Sequence, residues 1–122
     1  MNGKQIDFIS LKGKWVMINY WASWCQPCLD EIHELNAFYR NNHDKVALYA
    51  VNYDGLSLQQ QQQLIQKYQM TYPSLQHDPA KSLALGTLVG IPATYVFNPK
   101  GQWINTLYGG QTSAGLKNAI SE

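Results

Sequence analysis

The chain has two cysteines, Cys25 and Cys28, and only two residues separate them. An apolar, strand-like run ends just before the pair and a helical pattern begins just after it, which places Cys25 at the start of a helix. Unpaired backbone N–H groups and the positive end of the helix dipole favour a thiolate there. The thiolate is the attacking species in disulfide exchange, and Cys28, one turn further along, is close enough to resolve a mixed disulfide on Cys25. This spacing and context predict a redox pair.

Two other uses of the cysteine pair agree less well with the sequence. A structural disulfide over a two-residue spacer would close a very small loop and would remove little entropy from the unfolded chain. A closed zinc site needs four ligands. The remaining candidate ligands are His33, His43 and His77, and none of them stands at the spacing of a zinc finger. We interpret His33 as a solvated residue of the helix that follows the cysteines.

Composition limits the classes of function. The chain has 122 residues, of which 45% are hydrophobic, so it is long and apolar enough to bury a core. Its net charge of +1 gives no electrostatic reason to bind nucleic acid. No apolar run approaches the ~20 residues of a membrane span, and no secretory signal is visible. The polar start Met1-Asn2-Gly3 is typical of a chain whose signal or membrane anchor has been removed. Cysteines at this spacing fit either the cytosol or an oxidising compartment.

The hydrophobic pattern predicts strands and helices around the cysteines. The predicted strands are 5–9, 15–20, 46–52, 93–97 and 103–108. The predicted helices run from the cysteines to about 41–42, over 58–68 after a cap at Ser57, over 79–85, and from a cap at Thr112 or Ser113. The strands on either side of the cysteine helix form a βαβ unit and should be parallel. The last two strands should form an antiparallel hairpin. Since no repeat or linker is visible, we expect a single domain over 1–122.

Two segments carry a resemblance to a known family. Residues 21–28, Trp-Ala-Ser-Trp-Cys-Gln-Pro-Cys, resemble the active-site signature of thioredoxin-fold proteins, and residues 90–97 resemble the segment around their cis-proline. The chain is most similar to the TlpA/ResA-like branch, which includes the DsbE-type (CcmG-type) reductases of cytochrome c maturation. That similarity also rests on the turns at 11–14 and 98–101 and on the insert at 52–77. It implies an α/β, thioredoxin-like fold: a central mixed β-sheet flanked by helices, with the extra βα insert of that branch.

The resemblance implies a role for each part of the site. Cys25 would be a nucleophile at the surface, and Cys28 would be the resolving thiol. The Ile91-Pro92 bond would be cis, which counts Pro92 among the catalytic residues and lays the backbone of Ile91 beside the cysteines. An extended partner segment could then pair with that backbone. From the residues alone, Pro92 would be an ordinary proline at the start of a strand.

The neighbours of the cysteines are candidates for substrate contact. Trp24 could be a core aromatic, as Trp21 could, but its position next to Cys25 favours a residue that shields the site and contacts partners. Gln26 and Pro27 lie between the cysteines and should tune the redox poise. Pro27 also suits the first turn of a helix, where its missing N–H is not needed.

Glu31 is the predicted proton acceptor. Thioredoxin has a buried aspartate six residues before its first cysteine, and Asn19, which cannot titrate, takes that position here. Proteins of the TlpA/ResA-like branch resemble this chain in having a glutamate three residues after the second cysteine. Helical spacing places Glu31 on the same side as Cys28, where a partly buried carboxylate could take its proton. The alternative is that Glu31, like Asp30, only complements the helix dipole.

These features predict a thiol-disulfide oxidoreductase acting on protein partners. Its redox centre would be the Cys25–Cys28 disulfide itself, with no metal or other cofactor. The resemblance implies a monomeric reductant, periplasmic or otherwise extracytoplasmic, free or membrane-anchored, and supplied by an upstream donor such as a membrane reductase. It would serve cytochrome c maturation or a related thiol reduction, although the residues alone leave the direction of electron flow open.

Three alternatives have less support. A peroxide-reducing protein of the same fold is the nearest, and direct peroxide consumption would reveal it. A chain that resembled the copper chaperones on this fold would have a wider cysteine spacing together with a downstream histidine. This chain lacks that combination. A redox-inert adhesion or assembly module does not explain the intact cysteine pair.

Overall fold

A computed structural model describes residues 13–120. The predicted strand at 5–9 and the first part of the turn at 11–14 lie outside the described residues. The strands are β1 (Trp15–Trp21), β2 (Val46–Asn52), β3 (Ala93–Phe97) and β4 (Trp103–Tyr108). The helices are α1 (Gln26–Asp30), α2 (Ile32–Asn42), α3 (Leu58–Lys67) and α4 (Ser113–Ala119).

The strands form one mixed sheet in the order β2-β1-β3-β4. β1 and β2 are parallel, and β3 is antiparallel to both β1 and β4. The βαβ unit and the hairpin predicted from the sequence are therefore confirmed. The near-continuous apolar runs of β1 and β3 belong to the two central strands, which are covered on both faces.

Side chains alternate between the two faces of the sheet, so each face has its own core. The face that we call the cysteine face packs against the helices and the two cysteines. Its buried residues include Met17, Trp21, Cys25, Cys28, Leu35, Phe38, Val96 and Leu116. The opposite face is covered mainly by the segment between α3 and β3. Its buried residues include Val16, Ile18, Tyr20, Leu75, Leu85, Tyr95 and Phe97.

The helix predicted over 79–85 is wrong. The segment makes a single turn, closed by the hydrogen bonds from Leu83 N to Pro79 O at 2.9 Å and from Leu85 N to Ala80 O at 2.9 Å. Ala84 has a φ of +54°, in the left-handed region. A residue in that conformation ends a right-handed helix, so the turn does not propagate.

The helix that follows the cysteines is also not continuous. Glu31, with φ −86° and ψ −7°, separates α1 from α2. The break is slight, since Leu35 N still donates to Glu31 O at 2.9 Å. Elsewhere the predicted caps are confirmed: Ser57 caps α3 in a capping box with Gln60, and the side chain of Thr112 caps α4. Between residues 13 and 120, the helices are too short or too polar to cross a lipid bilayer.

Candidate active site

Cys25 caps the first turn of α1. After β1 ends, Cys25 N donates to Ala22 O at 3.2 Å, which closes the turn that leads into the helix. The sulfur of Cys25 then accepts the N–H of Cys28 at 3.2 Å, and the carbonyl of Cys25 accepts the N–H of Leu29 at 3.1 Å. The sulfur therefore lies where the unpaired amides of a helix start converge, as the sequence predicts.

The two cysteines form a disulfide with Cα atoms 5.2 Å apart. Cys28 is the more buried of the two, as expected, with 1% of its surface exposed. Cys25 is only 4% exposed, so the prediction of a nucleophile at the surface does not describe this disulfide form. The sulfur of Cys25 is bonded to that of Cys28 and accepts the Cys28 N–H at the start of α1.

Exposed side chains surround the buried disulfide. Trp24 is 69% exposed, and Gln26 and Pro27 are also exposed. The core interpretation of Trp24 is therefore wrong, whereas Trp21, three residues earlier, is fully buried. An exposed indole beside the pair agrees with contact to a partner, which stays a prediction.

The turn before Cys25 is tied to the end of β2, a contact that the sequence did not predict. Tyr53 N donates to Trp21 O at 2.8 Å. Ser23 donates to Oδ2 of Asp54 from its backbone N at 3.2 Å and from its hydroxyl at 2.5 Å. From the sequence, Asp54 is interpreted only as part of an Asp-Gly loop. Its carboxylate in fact holds the residue two positions before the first cysteine.

The Ile91-Pro92 peptide bond is cis, as the family resemblance implied. Pro92 is buried, and its carbonyl accepts the N–H of Gly109 at 2.9 Å. Ile91 packs against the core cluster that contains both cysteines. Its own backbone N–H and C=O make no hydrogen bond to another residue in the range 13–120. Pairing of this backbone with a partner segment stays a prediction.

Glu31 is a buried carboxyl group without a charged partner in the described part of the chain. It is 3% exposed, and its two oxygens accept from Asn19 Nδ2 at 2.8 Å and from Gln111 N at 2.9 Å. Burial raises the pKa of Glu31, and the hydrogen bonds from Gln111 and Asn19 oppose that rise. Glu31 lies beyond the first turn of α1 and is the N-cap residue of α2, where its side chain makes no cap hydrogen bond. A role for Glu31 as proton acceptor stays a prediction.

Asn19 and Thr94 complete this polar contact between strands. Asn19 pairs with Thr94 across β1 and β3, and its Nδ2 donates to Thr94 Oγ1 at 3.0 Å. Both side chains are buried on the cysteine face. The sequence did carry a signal for this contact, because an amide inside an apolar strand must find hydrogen-bond partners.

Tyr72 is a second buried polar group on the cysteine face that the sequence did not assign. It belongs to the core cluster of the cysteines, and its hydroxyl has no hydrogen-bond partner among residues 13–120. Burial raises the pKa of Tyr72, and the negative charge of Glu31 raises it further. The phenol is therefore close enough to the carboxyl group for the charge of Glu31 to act on it.

Candidate metal ligands do not assemble around the disulfide. Within the described range, no three His, Cys, Asp or Glu side chains come close enough to hold a metal ion. His33 is exposed, and its Nε2 lies 3.1 Å from Oε2 of Glu34 on the solvent side of α2. That position agrees with the interpretation of His33 as a solvated helix residue.

Comparison with known proteins agrees with the fold and the cysteine motif. Residues 1–103 match the model of the AhpC/TSA family. The chain is 30% identical over 118 residues to the thiol-disulfide oxidoreductase ResA of Oceanobacillus iheyensis; the match covers 96% of this chain but 61% of ResA. The chain thus spans less than two thirds of that relative.

Solved structures show the same fold. The crystal structure of StoA from Bacillus subtilis superposes with a TM-score of 0.76 at 27% identity, over 90% of this chain and 84% of StoA. A DsbF homologue from Corynebacterium diphtheriae gives a TM-score of 0.80 at 23% identity, over 93% of this chain and 74% of that one. The predicted thioredoxin-like fold and the resemblance to ResA-like proteins are confirmed.

Proposed function

This chain belongs to the AhpC/TSA family, and we propose that it is a thiol-disulfide oxidoreductase whose redox centre is the pair Cys25 and Cys28. The observation that carries the proposal is the disulfide itself, placed at the N-terminus of α1 with the cap sulfur accepting a helix amide. A thiolate at Cys25 would be stabilised by the same amide. Similarity to a protein named thiol-disulfide oxidoreductase ResA supports the assignment.

The proposed reaction has two exchange steps. The Cys25 thiolate attacks one sulfur of a substrate disulfide, so that a Cys25–substrate disulfide forms and the other substrate sulfur leaves as a thiolate. Cys28 then attacks the sulfur of Cys25, which re-forms the Cys25–Cys28 disulfide and releases the second substrate thiol. Two electrons pass from the cysteine pair to the substrate, and an upstream thiol donor must restore the dithiol.

Glu31 would serve the second step. Cys28 has to lose its proton before it can attack, and its burial disfavours the thiolate. A carboxylate three residues along the chain, with its pKa raised by burial, is better suited to accept that proton than an exposed carboxylate would be. This role accounts for a buried acid beside thiols, whose negative charge would otherwise only oppose thiolate formation.

Partners would bind across the exposed residues around the disulfide. We propose that Trp24, Gln26 and Pro27 contact the substrate, and that an extended segment of it pairs with the backbone of Ile91 next to Pro92. The free N–H and C=O of Ile91, within the described residues, support this mode. We expect the substrates to be proteins with disulfides or thiols, and the enzyme to act as a monomer.

We further propose that the protein is a reductant outside the cytoplasm. Its likeness to the ResA-like branch supports a role in cytochrome c maturation or a related thiol reduction, with electrons from a membrane reductase. Equilibration of the cysteine pair against glutathione buffers measures the direction of flow. A potential well below that of glutathione supports a reductant, whereas one well above it would make the protein an oxidant.

Replacing Cys28 with Ser tests the mechanism. The variant should accumulate a mixed disulfide between Cys25 and a disulfide-containing protein substrate, visible on non-reducing gels, because the resolving thiol is missing. The matched control Cys25→Ser should form no such adduct at residue 25. Failure of Cys28→Ser to form an adduct, or rapid peroxide consumption by the reduced wild type without any disulfide substrate, would contradict the proposal.

A further inference from the structure

We propose that Asn19 is a positioning residue for the exchange reaction: its side-chain amide holds the Glu31 carboxyl group in place as the acceptor of the Cys28 proton. The inference rests on the proposed function, since it requires Glu31 to take the proton of Cys28.

Both hydrogens of the Asn19 side-chain nitrogen are used in hydrogen bonds. One N–H of Nδ2 donates to Glu31 Oε1 at 2.8 Å, and the other donates to Thr94 Oγ1 at 3.0 Å. All three residues are buried. When Glu31 is ionised, the reverse orientation would set the amide oxygen against a carboxylate oxygen, two acceptors facing each other, so the donor faces Glu31 in that state.

Asn19 connects the acid to the rigid centre of the molecule. It lies on β1, which pairs with both β2 and β3. Thr94, its partner in register, follows Pro92 by two residues on β3. Glu31 itself lies at the junction of α1 and α2, where its N–H still donates to Pro27 O at 3.2 Å and its carbonyl still accepts from Leu35 N at 2.9 Å. The strand therefore supplies the fixed point from which the carboxyl group is oriented.

Glu31 has two hydrogen-bond donors, and only the one from Asn19 can be removed by substitution, because Gln111 donates from its backbone. In the described chain the only groups that offset the burial of this carboxyl are the amide of Asn19 and the backbone N–H of Gln111. No lysine, arginine or histidine contributes. Loss of the Asn19 donor should therefore make the ionised form of Glu31 less favourable.

Two variants of similar size to asparagine remove the donor. Asn19→Leu deletes it, and Asn19→Asp replaces it with a second acid. Titration of the side-chain carboxyl groups by carbon-13 NMR, in the folded disulfide form, should show a Glu31 midpoint about 1 pH unit higher in Asn19→Leu. In Asn19→Asp the two facing carboxyl groups should titrate as a coupled pair, whose second proton is lost at a higher pH than the Glu31 proton of the wild type. The rate at which the reduced protein reduces a model peptide disulfide should shift its pH dependence in the same direction and should fall several-fold at pH 7.

Thr94→Val is the matched control, because it removes the other partner of the same amide and leaves the bond to Glu31. It should move the Glu31 midpoint by much less than Asn19→Leu does; an equal shift would mean that lost packing, and not the donor, causes the effect. Asn19→Asp is close in shape to the native residue, so it keeps the test open if Asn19→Leu fails to fold.

The Glu31→Gln variant separates this inference from the proposed function. If Glu31→Gln alters the pH dependence of exchange but the Asn19 variants leave the Glu31 midpoint unmoved, the inference about Asn19 is wrong and the mechanism stands. If Glu31→Gln leaves the pH dependence unchanged, the proton-transfer role and the inference both fail. The adduct formed by Cys28→Ser would still support disulfide exchange in that case.

Discussion

Each face of the sheet buries a tyrosine in the vicinity of a carboxyl group, but the two pairs differ in their contacts. On the opposite face, Tyr20 donates its hydroxyl proton to Asp78 Oδ1 at 2.5 Å, and Asp78 is open to solvent. On the cysteine face, the hydroxyl of Tyr72 has no partner within residues 13–120, and Glu31 is buried. The hydrogen bond from Tyr20 to Asp78 fixes the loop that contains Asp78 to the sheet. On the cysteine face neither the phenol nor solvent offsets the burial of the carboxyl group, and that burial raises the pKa of Glu31.

The largest expected difference between the faces is in catalysis. Glu31→Gln should slow disulfide exchange at pH 7 by about tenfold or more, since general-base assistance typically contributes at least that much. Asp78→Asn makes the same chemical change on the opposite face and should leave the rate within about twofold, because that acid has no part in the proposed proton transfer. Stopped-flow measurement of both variants with one peptide disulfide makes the comparison. Equal slowing by both would remove the distinction between the faces.

The next effect is on stability and concerns Tyr20. Tyr20→Phe removes the hydrogen bond to Asp78 and should lower the free energy of unfolding by about 1–2 kcal/mol, with no change in exchange rate. Tyr53, whose half-exposed ring packs edge-on against Tyr20, provides the control. Tyr53→Phe should change the free energy of unfolding by under about 0.5 kcal/mol. Urea denaturation of the disulfide form measures both, and indistinguishable values would show that the Tyr20 hydroxyl contributes nothing.

Glu31, on the cysteine face, should make the free energy of unfolding depend on pH. Burial holds the pKa of Glu31 in the folded chain above its value in the unfolded chain. The folded state therefore retains a proton that the unfolded state releases, so the contribution of this group is complete below about pH 4.3 and is lost as pH rises through the folded pKa. The loss amounts to about 1.4 kcal/mol for each unit by which the two pKa values differ. Denaturation curves from pH 4 to 8 should show this decline in the wild type and not in Glu31→Gln; parallel declines would assign it elsewhere.

The smallest expected change in the free energy of unfolding is that of Tyr72→Phe, and its sign should be opposite to that of Tyr20→Phe. Tyr72→Phe removes a buried hydroxyl without a partner in the described chain, so it should leave stability unchanged or raise it by up to about 1 kcal/mol. Thermal unfolding of Tyr72→Phe beside Tyr20→Phe tests the contrast directly. A loss of stability in Tyr72→Phe would reveal a bond to its hydroxyl.

The strands were predictable because their chemistry is local. Residues 46–52, 93–97 and 103–108 were predicted with the bounds that the structure gives. Each is a run of β-branched, aromatic or apolar residues ended by turn residues, and the packing of the sheet follows the same pattern. The pairing of β1 with β2 then followed from the handedness and spacing of a βαβ unit.

One helix prediction is wrong, and a second is correct in its extent but misses a slight break. The segment at 79–85 has helix-forming residues, but Ala84 adopts a left-handed conformation that no helix propensity indicates. The helix after the cysteines has a suitable pattern throughout, yet it breaks at Glu31. In the second case the side chain of Glu31 reaches donors on a strand and on a loop, which are tertiary contacts and leave no local signal.

The candidate site was predictable in its sulfur chemistry and not in its polar contacts. The spacing of the cysteines implies a redox pair directly. The partners of Glu31 lie far along the chain: Asn19 is 12 residues away and Gln111 is 80 residues away. A sequence indicates that a buried amide and a buried acid each need partners, but the sheet register decides which ones.

The polar environment of Glu31 has a consequence for the conditions in which the protein can work. Its carboxyl group is held by two uncharged donors, with no ion pair among the described residues acting on it. Dissolved salt screens attraction between charges at a surface and has little effect on short, buried hydrogen bonds. The pKa of Glu31 should therefore change little between dilute buffer and a concentrated salt solution.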